Sequence, residues 1–513
     1  MTSRARGLTR RLRAALRGPD AVRRADLRAA QRGHRPADPV PALPGLRAAV
    51  AGDAQLLACL AWEWSQQELT TENWPAVLTP GAVDLVVLQA PAGRLSGWDA
   101  ALARCAELEL AVFVWVTGPP GGVAGPAATW VERVDRVFVD DERLLPAWPG
   151  AELLPPAVQP RLHNPSAGRP RQRAAAVLGP AVQGVDHGKQ DQWESDALPV
   201  SGPAVSSYPV VVQLAQQVPW TVLPAAAGGS SVVVSSTDGL PADLRPLVAV
   251  ADDAETLRAQ VTARLWHEEL ADREGLVLGR AVRTGHAYAR RVDALARAAG
   301  LPVQRPRRSV SAVVPTNREH ELDNVFANVA RQAHDPVQLV LVLHGLDPAR
   351  LDVPARAKAA GIDELTLVEA DSSLPLGACM NLGLGASDGE FVAKMDDDNF
   401  YGAHYLTDLV GAFDYTDAGI VGKWAHYVWL RSTGAVVLRS ARCEHRYERL
   451  VQGGSMVLRA DVARALRFDD SLPRGVDTDI LERARRDGVR TYSADRFNYV
   501  SMRGTDRTAH TWT

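Results

Sequence analysis

Three consecutive aspartates, Asp396, Asp397 and Asp398, follow directly on an expected strand at 390–395. Adjacent carboxylates repel one another and raise each other's pKa unless a cation or hydrogen-bond donors compensate. A hard divalent cation, Mg²⁺ or Mn²⁺, suits them, because it takes oxygen ligands, few of them from protein, and leaves positions for diphosphate oxygens. In an extended segment alternate residues share a side, so Asp396 and Asp398 are placed to face one ion while Asp397 turns away. For three aspartates taken alone, a solvated acidic turn is the plain alternative.

The elements that must position this tip surround it. Residues 310–314 form a β-branched run ending in Pro315, Thr316, Asn317 and Arg318, and Leu322, Val325, Phe326 and Val329 then recur at the spacing of a buried helix face. Further strands are expected at 337–343, 364–368 and 390–395. Alternating strands and helices argue a mainly parallel sheet, whose ligands gather at the carboxyl ends of its strands.

Taken together, Ser309 to Arg318, Ala378 to Leu384 with Asn381, and Gly389 to Asp398 resemble the nucleotide-sugar half of family-two glycosyltransferases of the GT-A fold. The resemblance covers roughly the last 200 residues. It implies that Pro315, Thr316, Asn317 and Arg318 border a nucleotide, that Asn381 and Asp397 lie by the nucleotide sugar, and that Asp396 and Asp398 hold the metal. Gly453, Gly454 and Ser455 resemble the family's acceptor loop, where absent side chains let a sugar approach the backbone. The segment 475–483 resembles the family's Glu-Asp-x-Asp stretch, with Val476 where the family commonly has glutamate, and this makes Asp477 the catalytic base. An N-cap is the structural alternative for Asp477. His510 is implied as a third metal ligand, Arg503 as a phosphate partner, and His344 and Asp347 as neighbours of the base.

The implied reaction is metal-dependent and inverting: a sugar passes from a nucleotide-diphosphate donor to a hydroxyl of a glycan or lipid-linked acceptor, with family habit pointing to bacterial cell-surface polysaccharide. Sugar-phosphate nucleotidyl transfer would want a Gly-rich loop after the first strand, which 315–319 lacks. A non-catalytic carbohydrate-binding or assembly protein that kept the fold is the remaining alternative.

The fold expected is α/β throughout, a C-terminal GT-A nucleotide-sugar-binding domain at 309–513 preceded by a GT-B-like, Rossmann-like region at 46–300, with a linker at 301–308 and a basic arm at 1–45. Segments 73–120, 137–141, 154–158, 163–165 and 285–291 of the middle region resemble a GT-B glycosyltransferase of the spore-maturation type. That region has no basic residue between Lys189 and Arg245 and no glutamate between Glu194 and Glu255 to meet a diphosphate, which favours an inactive or scaffold domain.

Over 513 residues the net charge is −3, which excludes a basic nucleic-acid wrapper. Four scattered cysteines exclude a disulfide framework and fit a reducing, cytoplasmic setting. Only four of 57 basic residues are lysine, a bias expected of a GC-rich bacterial genome. The first 36 residues carry eleven arginines, with Leu8, Leu12, Leu16 and Val22 among them. This is the pattern of a basic amphipathic helix in peripheral contact with the inner face of the plasma membrane, or of a solvated arm. Residues 197–237 hold no charge but five prolines, and are expected to form buried strands and loops rather than a membrane span.

Overall fold

The computed structural model describes residues 38–123, 130–166, 175–178, 193–194, 208–214 and 219–504. His510 and the basic segment up to residue 37 lie outside these residues. The chain divides into two compact units between Pro306 and Arg307.

In the C-terminal unit, β1 (Val310–Thr316) pairs in parallel with β2 (Val337–His344) and β4 (Phe391–Met395), and β2 pairs in parallel with β3 (Leu365–Ala370). Crossover helices α1 (Leu322–Ala330), α2 (Val353–Ala359) and α3 (Leu376–Gly385) connect them, as parallel strands require. After the short β5 (Phe400–Tyr401) and helix α4 (Tyr405–Ala412) come β6 (Ile420–Gly422), β7 (His426–Leu430), β8 (Ala435–Arg439), β9 (Arg446–Tyr447) and β10 (Ser455–Arg459). Helices α5 (Ala460–Leu466) and α6 (Val476–Arg486) and strands β11 (Thr491–Ser493) and β12 (Tyr499–Arg503) complete the unit. The main sheet runs β3-β2-β1-β4-β10-β6-β11-β9, with β10 antiparallel to β4, and a second sheet runs β5-β12-β7-β8.

Both faces of the main sheet are covered. Val310, Ala312 and Val314 pack with Phe326 and Leu409 on one side, and Val313 packs with Val340, Met380 and Ile480 on the other. A strand buried on both faces is largely apolar, which is why β1 and β2 read as aliphatic runs, with the buried Ser311 hydroxyl satisfied by Gln338 across the pair.

The N-terminal unit contains two all-parallel sheets. One holds strands Trp64–Glu68, Leu43–Ala51, Leu85–Pro91, Ala111–Thr117, Arg136–Val139 and Glu152–Leu153 in that order. The other orders Ala249–Val250, Ser231–Val234, Val210–Gln213, Ala175–Leu178 and Trp193–Glu194. The first strand starts at Leu43, inside the stretch expected to be arm, because Leu43 and Leu46 pack with Trp64 and Leu60. The expected linker also differs at its start: Leu301 and Val303 pack on the same core, and Arg305 pairs with Glu63 and Asp293 at 3.1 and 2.7 Å. Among the described residues no helix is long and apolar enough to cross a membrane, and the described part of 197–237 holds two buried strands and helix Pro219–Ala227.

Candidate functional site

The site forms where β1 and β4 end side by side. Asp397 turns inward and is buried; its carboxylate accepts from Thr316 Oγ1 at 2.7 Å and from Arg318 at 3.1 Å. Burial pushes Asp397 up to about 6, with Asp398 and Asp396 adding to the rise and Thr316 and Arg318 opposing it. Arg318 also donates to Asp398 Oδ2 at 2.9 Å, so one guanidinium clamps two of the three carboxylates. The backbone of the tip is tied down as well. Asn324 donates to the Asp397 carbonyl at 2.6 Å, and Asn328 donates to the Asn399 carbonyl at 2.8 Å. Both come from α1, which explains why that helix must follow β1 closely.

Asp396 faces the other way. Its Oδ1 accepts from Lys394 Nζ at 2.6 Å and its Oδ2 from Asn399 at 3.1 Å. Its backbone N–H donates to the Tyr401 hydroxyl at 2.7 Å, which in turn donates to the Gly454 carbonyl at 2.6 Å. The Lys394 ammonium also lies 3.5 Å from Asp477 Oδ1, so one buried cation faces two carboxylates. Burial alone would lower that ammonium, but Asp396 and Asp477 hold it above the ordinary lysine range.

Asp477 stands in the first turn of α6 and makes no capping bond there; Gly475 occupies the N-cap with φ +78°, a backbone conformation that suits glycine. The capping alternative for Asp477 therefore falls away. One third of its side chain stays exposed while Oδ1 is buried beside Lys394. Burial raises its pKa, Lys394 opposes the rise and Asp396 adds to it. A carboxylate that is partly open and more basic than usual suits proton removal.

Gly453 and Gly454 are required by close approach. A Cβ on Gly453 would stand 1.9 Å from Asp477 Oδ2, and one on Gly454 2.2 Å from Asp396 Oδ2. Ser455, expected at the acceptor, is instead fully buried: its hydroxyl donates to the Gln452 carbonyl at 2.8 Å and accepts from Lys423 N–H at 3.0 Å. Behind it Lys423 Nζ donates to Asp495 Oδ1 and to the Asp495 carbonyl, both at 3.0 Å.

Other expected positions separate. Asn381 spends its amide on the Phe468 backbone, donating at 2.8 Å and accepting at 2.9 Å, which fastens α3 to the chain after α5. Pro315 and Thr316 are buried as the last residues of β1, so only Asn317 and Arg318 of that loop are part-exposed. Val476 is buried in the core. His344 Nε2 faces the Leu374 carbonyl at 3.0 Å. Just beyond it a cavity of about 420 Å³ opens at the ends of β2 and β3, lined by Gly345, Leu346, Asp347, Glu369 and Asp371 among others. Arg503 ends β12 and is half-buried.

Among the described residues no three His, Cys, Asp or Glu side chains are grouped to hold a metal. Asp396 has both oxygens engaged by Lys394 and Asn399, whereas Asp398 shares only Arg318 and keeps 34% of its side chain exposed. A hard cation that takes most of its ligands from a diphosphate fits one such carboxylate, so Asp398 is the better donor of the two.

Lys394, Lys423, Asn399 and Tyr401 were not singled out by sequence reasoning. A signal existed: in a chain that uses arginine almost everywhere, two of its four lysines are these buried ones. A compact ammonium fits between carboxylates where a planar guanidinium does not.

Residues 311–472 match the model of glycosyl transferase family 2, which supports a glycosyltransferase for the C-terminal unit. Among solved structures, the chain is similar to a mannosyltransferase from Pyrobaculum calidifontis in complex with GDP-Man and Mn²⁺, at 19% identity and TM-score 0.32, covering 41% of this chain and 61% of that one. It is also similar to S. aureus TarS 1–349 in complex with UDP-GlcNAc, at 16% identity and TM-score 0.32, covering 40% and 62%. The match thus spans about three fifths of each of these two structures. No curated protein matches the chain.

Proposed function

We propose that the C-terminal unit is a GT-A-type, metal-dependent, inverting glycosyltransferase acting on a nucleotide-diphosphate sugar and a glycan or lipid-linked hydroxyl. The observation that carries this reading is the arrangement of Asp396 and Asp477 around Lys394, with Gly453 and Gly454 pressed against both carboxylates. Asp477 takes the proton of the acceptor hydroxyl as that oxygen attacks the anomeric carbon from the face opposite the leaving group. Lys394 holds Asp477 in place, and the bare Gly453–Gly454 backbone leaves room for an acceptor beside it. Arg318 fixes Asp398, and the cavity beside Asp347 and Glu369 takes the nucleoside. A Mn²⁺ or Mg²⁺ ion held by Asp398 would neutralise charge developing on the departing diphosphate.

For the N-terminal unit, two parallel sheets and the lack of basic residues between Lys189 and Arg245 support a GT-B-like scaffold without a diphosphate site of its own. The test of the transferase reading is release of nucleoside diphosphate from a panel of nucleotide sugars, with and without divalent cation. Cation-dependent release is expected. Pyrophosphate as the product would mean nucleotidyl transfer, and no product from any donor would mean a non-catalytic protein.

A further inference from the structure

The second sheet of the C-terminal unit, β5-β12-β7-β8, has two unlike faces. Strand pairing places Tyr401, Tyr499, Ser501 and Val428 on one face, and all four are buried. The other face carries Phe400, Trp429, Val436, Leu438, Val500 and Met502, aligned by the pairs Phe400–Val500, Trp429–Met502 and Trp429–Val436, together with Tyr427, whose hydroxyl accepts from Arg496; on the edge strand Val437, opposite Val428, is exposed too. Phe400, Trp429, Val436 and Leu438 are exposed, with Val436 at 61%, and Val500 and Met502 are half-buried. Isolated exposed apolar residues are ordinary, but a contiguous apolar face spread over four strands marks an interaction surface. The edge strand β8 is exposed along its whole length, which a monomer in water normally avoids or blunts.

The charge around this face says what covers it. From His426 to Arg442 there is no acidic residue, no asparagine and no glutamine, while Arg431, Arg439 and Arg442 are all exposed. Arg331 adds a fourth cation, stacked 4.7 Å over the Phe400 ring. The hairpin offers no amide or carboxylate side chain, and its polar groups at 426–442 are chiefly cationic or hydroxyl. A Trp and aliphatic side chains rimmed by arginine match the boundary between lipid headgroups and acyl chains. The face also begins one residue beyond the tip, because Phe400 follows Asn399, whose side chain bonds both Asp396 and the Met502 N–H at 3.1 and 2.9 Å.

We infer that the outer face of the β5-β12-β7-β8 sheet, with its β7–β8 hairpin, docks on an anionic lipid surface. Docking there holds the site next to the bilayer, where the hydroxyl of a lipid-anchored acceptor would be presented. Docking needs no part of the basic N-terminal segment; only the presentation of an acceptor rests on the proposed transferase reaction.

Cosedimentation of the full chain with vesicles tests it. Wild type is expected to bind vesicles of phosphatidylcholine with about 30% phosphatidylglycerol far better than phosphatidylcholine alone. The Val436→Ser/Leu438→Ser variant, altered only at exposed positions, should bind roughly tenfold more weakly. The Arg431→Gln/Arg439→Gln/Arg442→Gln variant should lose most of the preference for anionic vesicles. Neither touches the acidic tip, so binding of Mn²⁺ with nucleoside diphosphate should stay unchanged and report a folded chain. Undiminished vesicle binding by both variants would overturn the inference. So would a wild type that ignores vesicles and instead forms a dimer by light scattering that Val436→Ser/Leu438→Ser disrupts, or one that binds a neutral oligosaccharide through this face.

Discussion

The first sheet of the N-terminal unit and the main sheet of the C-terminal unit end their parallel strands in opposite ways. In the first sheet of the N-terminal unit, described polar groups at the strand ends bond to each other: Asp53 caps helix Ala54–Leu60 through Leu56 N–H at 2.8 Å and exchanges bonds with Gln89 at 2.7 and 2.9 Å, while Asp140 accepts from Gly118 N–H at 3.1 Å. In the C-terminal unit the strand ends gather carboxylates in excess of what one fold needs, hold them with Arg318 and Lys394, and leave Asp398, Asp396 and Asp477 each about one third exposed. A parallel sheet thus supplies a place where ligands can bind; whether it is a site depends on whether its polar groups are already satisfied internally.

Four changes should sharpen that contrast. Asp477→Asn removes the proposed base while keeping the shape, so transfer should fall by about 10³-fold while nucleotide-sugar binding persists, measured by turnover and by titration calorimetry. Loss of both would give Asp477 a structural role instead. Lys394→Met leaves Asp396 and Asp477 without their shared buried cation and should cost about 3–5 kcal/mol in denaturant unfolding, together with most of the activity. Stability equal to wild type would mean that the lysine does not hold the pair.

The third change concerns pH. Asp397 is pushed up to about 6, whereas an unfolded aspartate titrates near 3.9. The folded chain therefore holds this proton more tightly. Its contribution to stability is complete below about pH 4 and is lost as pH rises through about 6, a change of about 3 kcal/mol. In Asp397→Asn this part of the pH–stability curve should flatten; an unchanged slope would place the titration elsewhere. The smallest effect belongs to the N-terminal unit. Asp53→Ala should cost about 1 kcal/mol through the lost cap and leave transfer unaltered. A large loss of transfer would show that this sheet end takes part in the chemistry.

Much of this was legible before any coordinates. Doubly buried strands announce themselves as aliphatic runs, and the aspartates at the end of β4 gain meaning only with the motifs around them, since one of them, Asp397, is buried against Thr316 and Arg318. The β-branched run at 310–314 leads into Pro315 and Thr316, and the strand continues through both. Pro315 pairs only with Val342 on β2, beyond the last β4 partner of β1, Val313 to Lys394, so a missing N–H is tolerated there. Asn381 looked like a ligand-facing residue because its partner, the Phe468 backbone, lies 87 residues away and leaves no local trace. Ser455 is taken by Lys423 and Gln452 for the same long-range reason. Lys394 was hidden in plain composition: the scarcity of lysine was visible, but burial against two carboxylates from different elements was not. The second sheet has short strands without strong alternation, and its exposed apolar face emerges only once β5, β7, β8 and β12 are side by side.

Central to the proposed reaction is an acidic tip that holds a divalent ion together with a nucleoside diphosphate. Mn²⁺ uptake followed by electron paramagnetic resonance, with UDP or GDP present, tests it most directly in wild type and in Asp398→Asn. Wild type should take up the ion only when the diphosphate is present, and Asp398→Asn should fail to do so. Equal uptake by the two proteins, or none by wild type with either diphosphate, would contradict it.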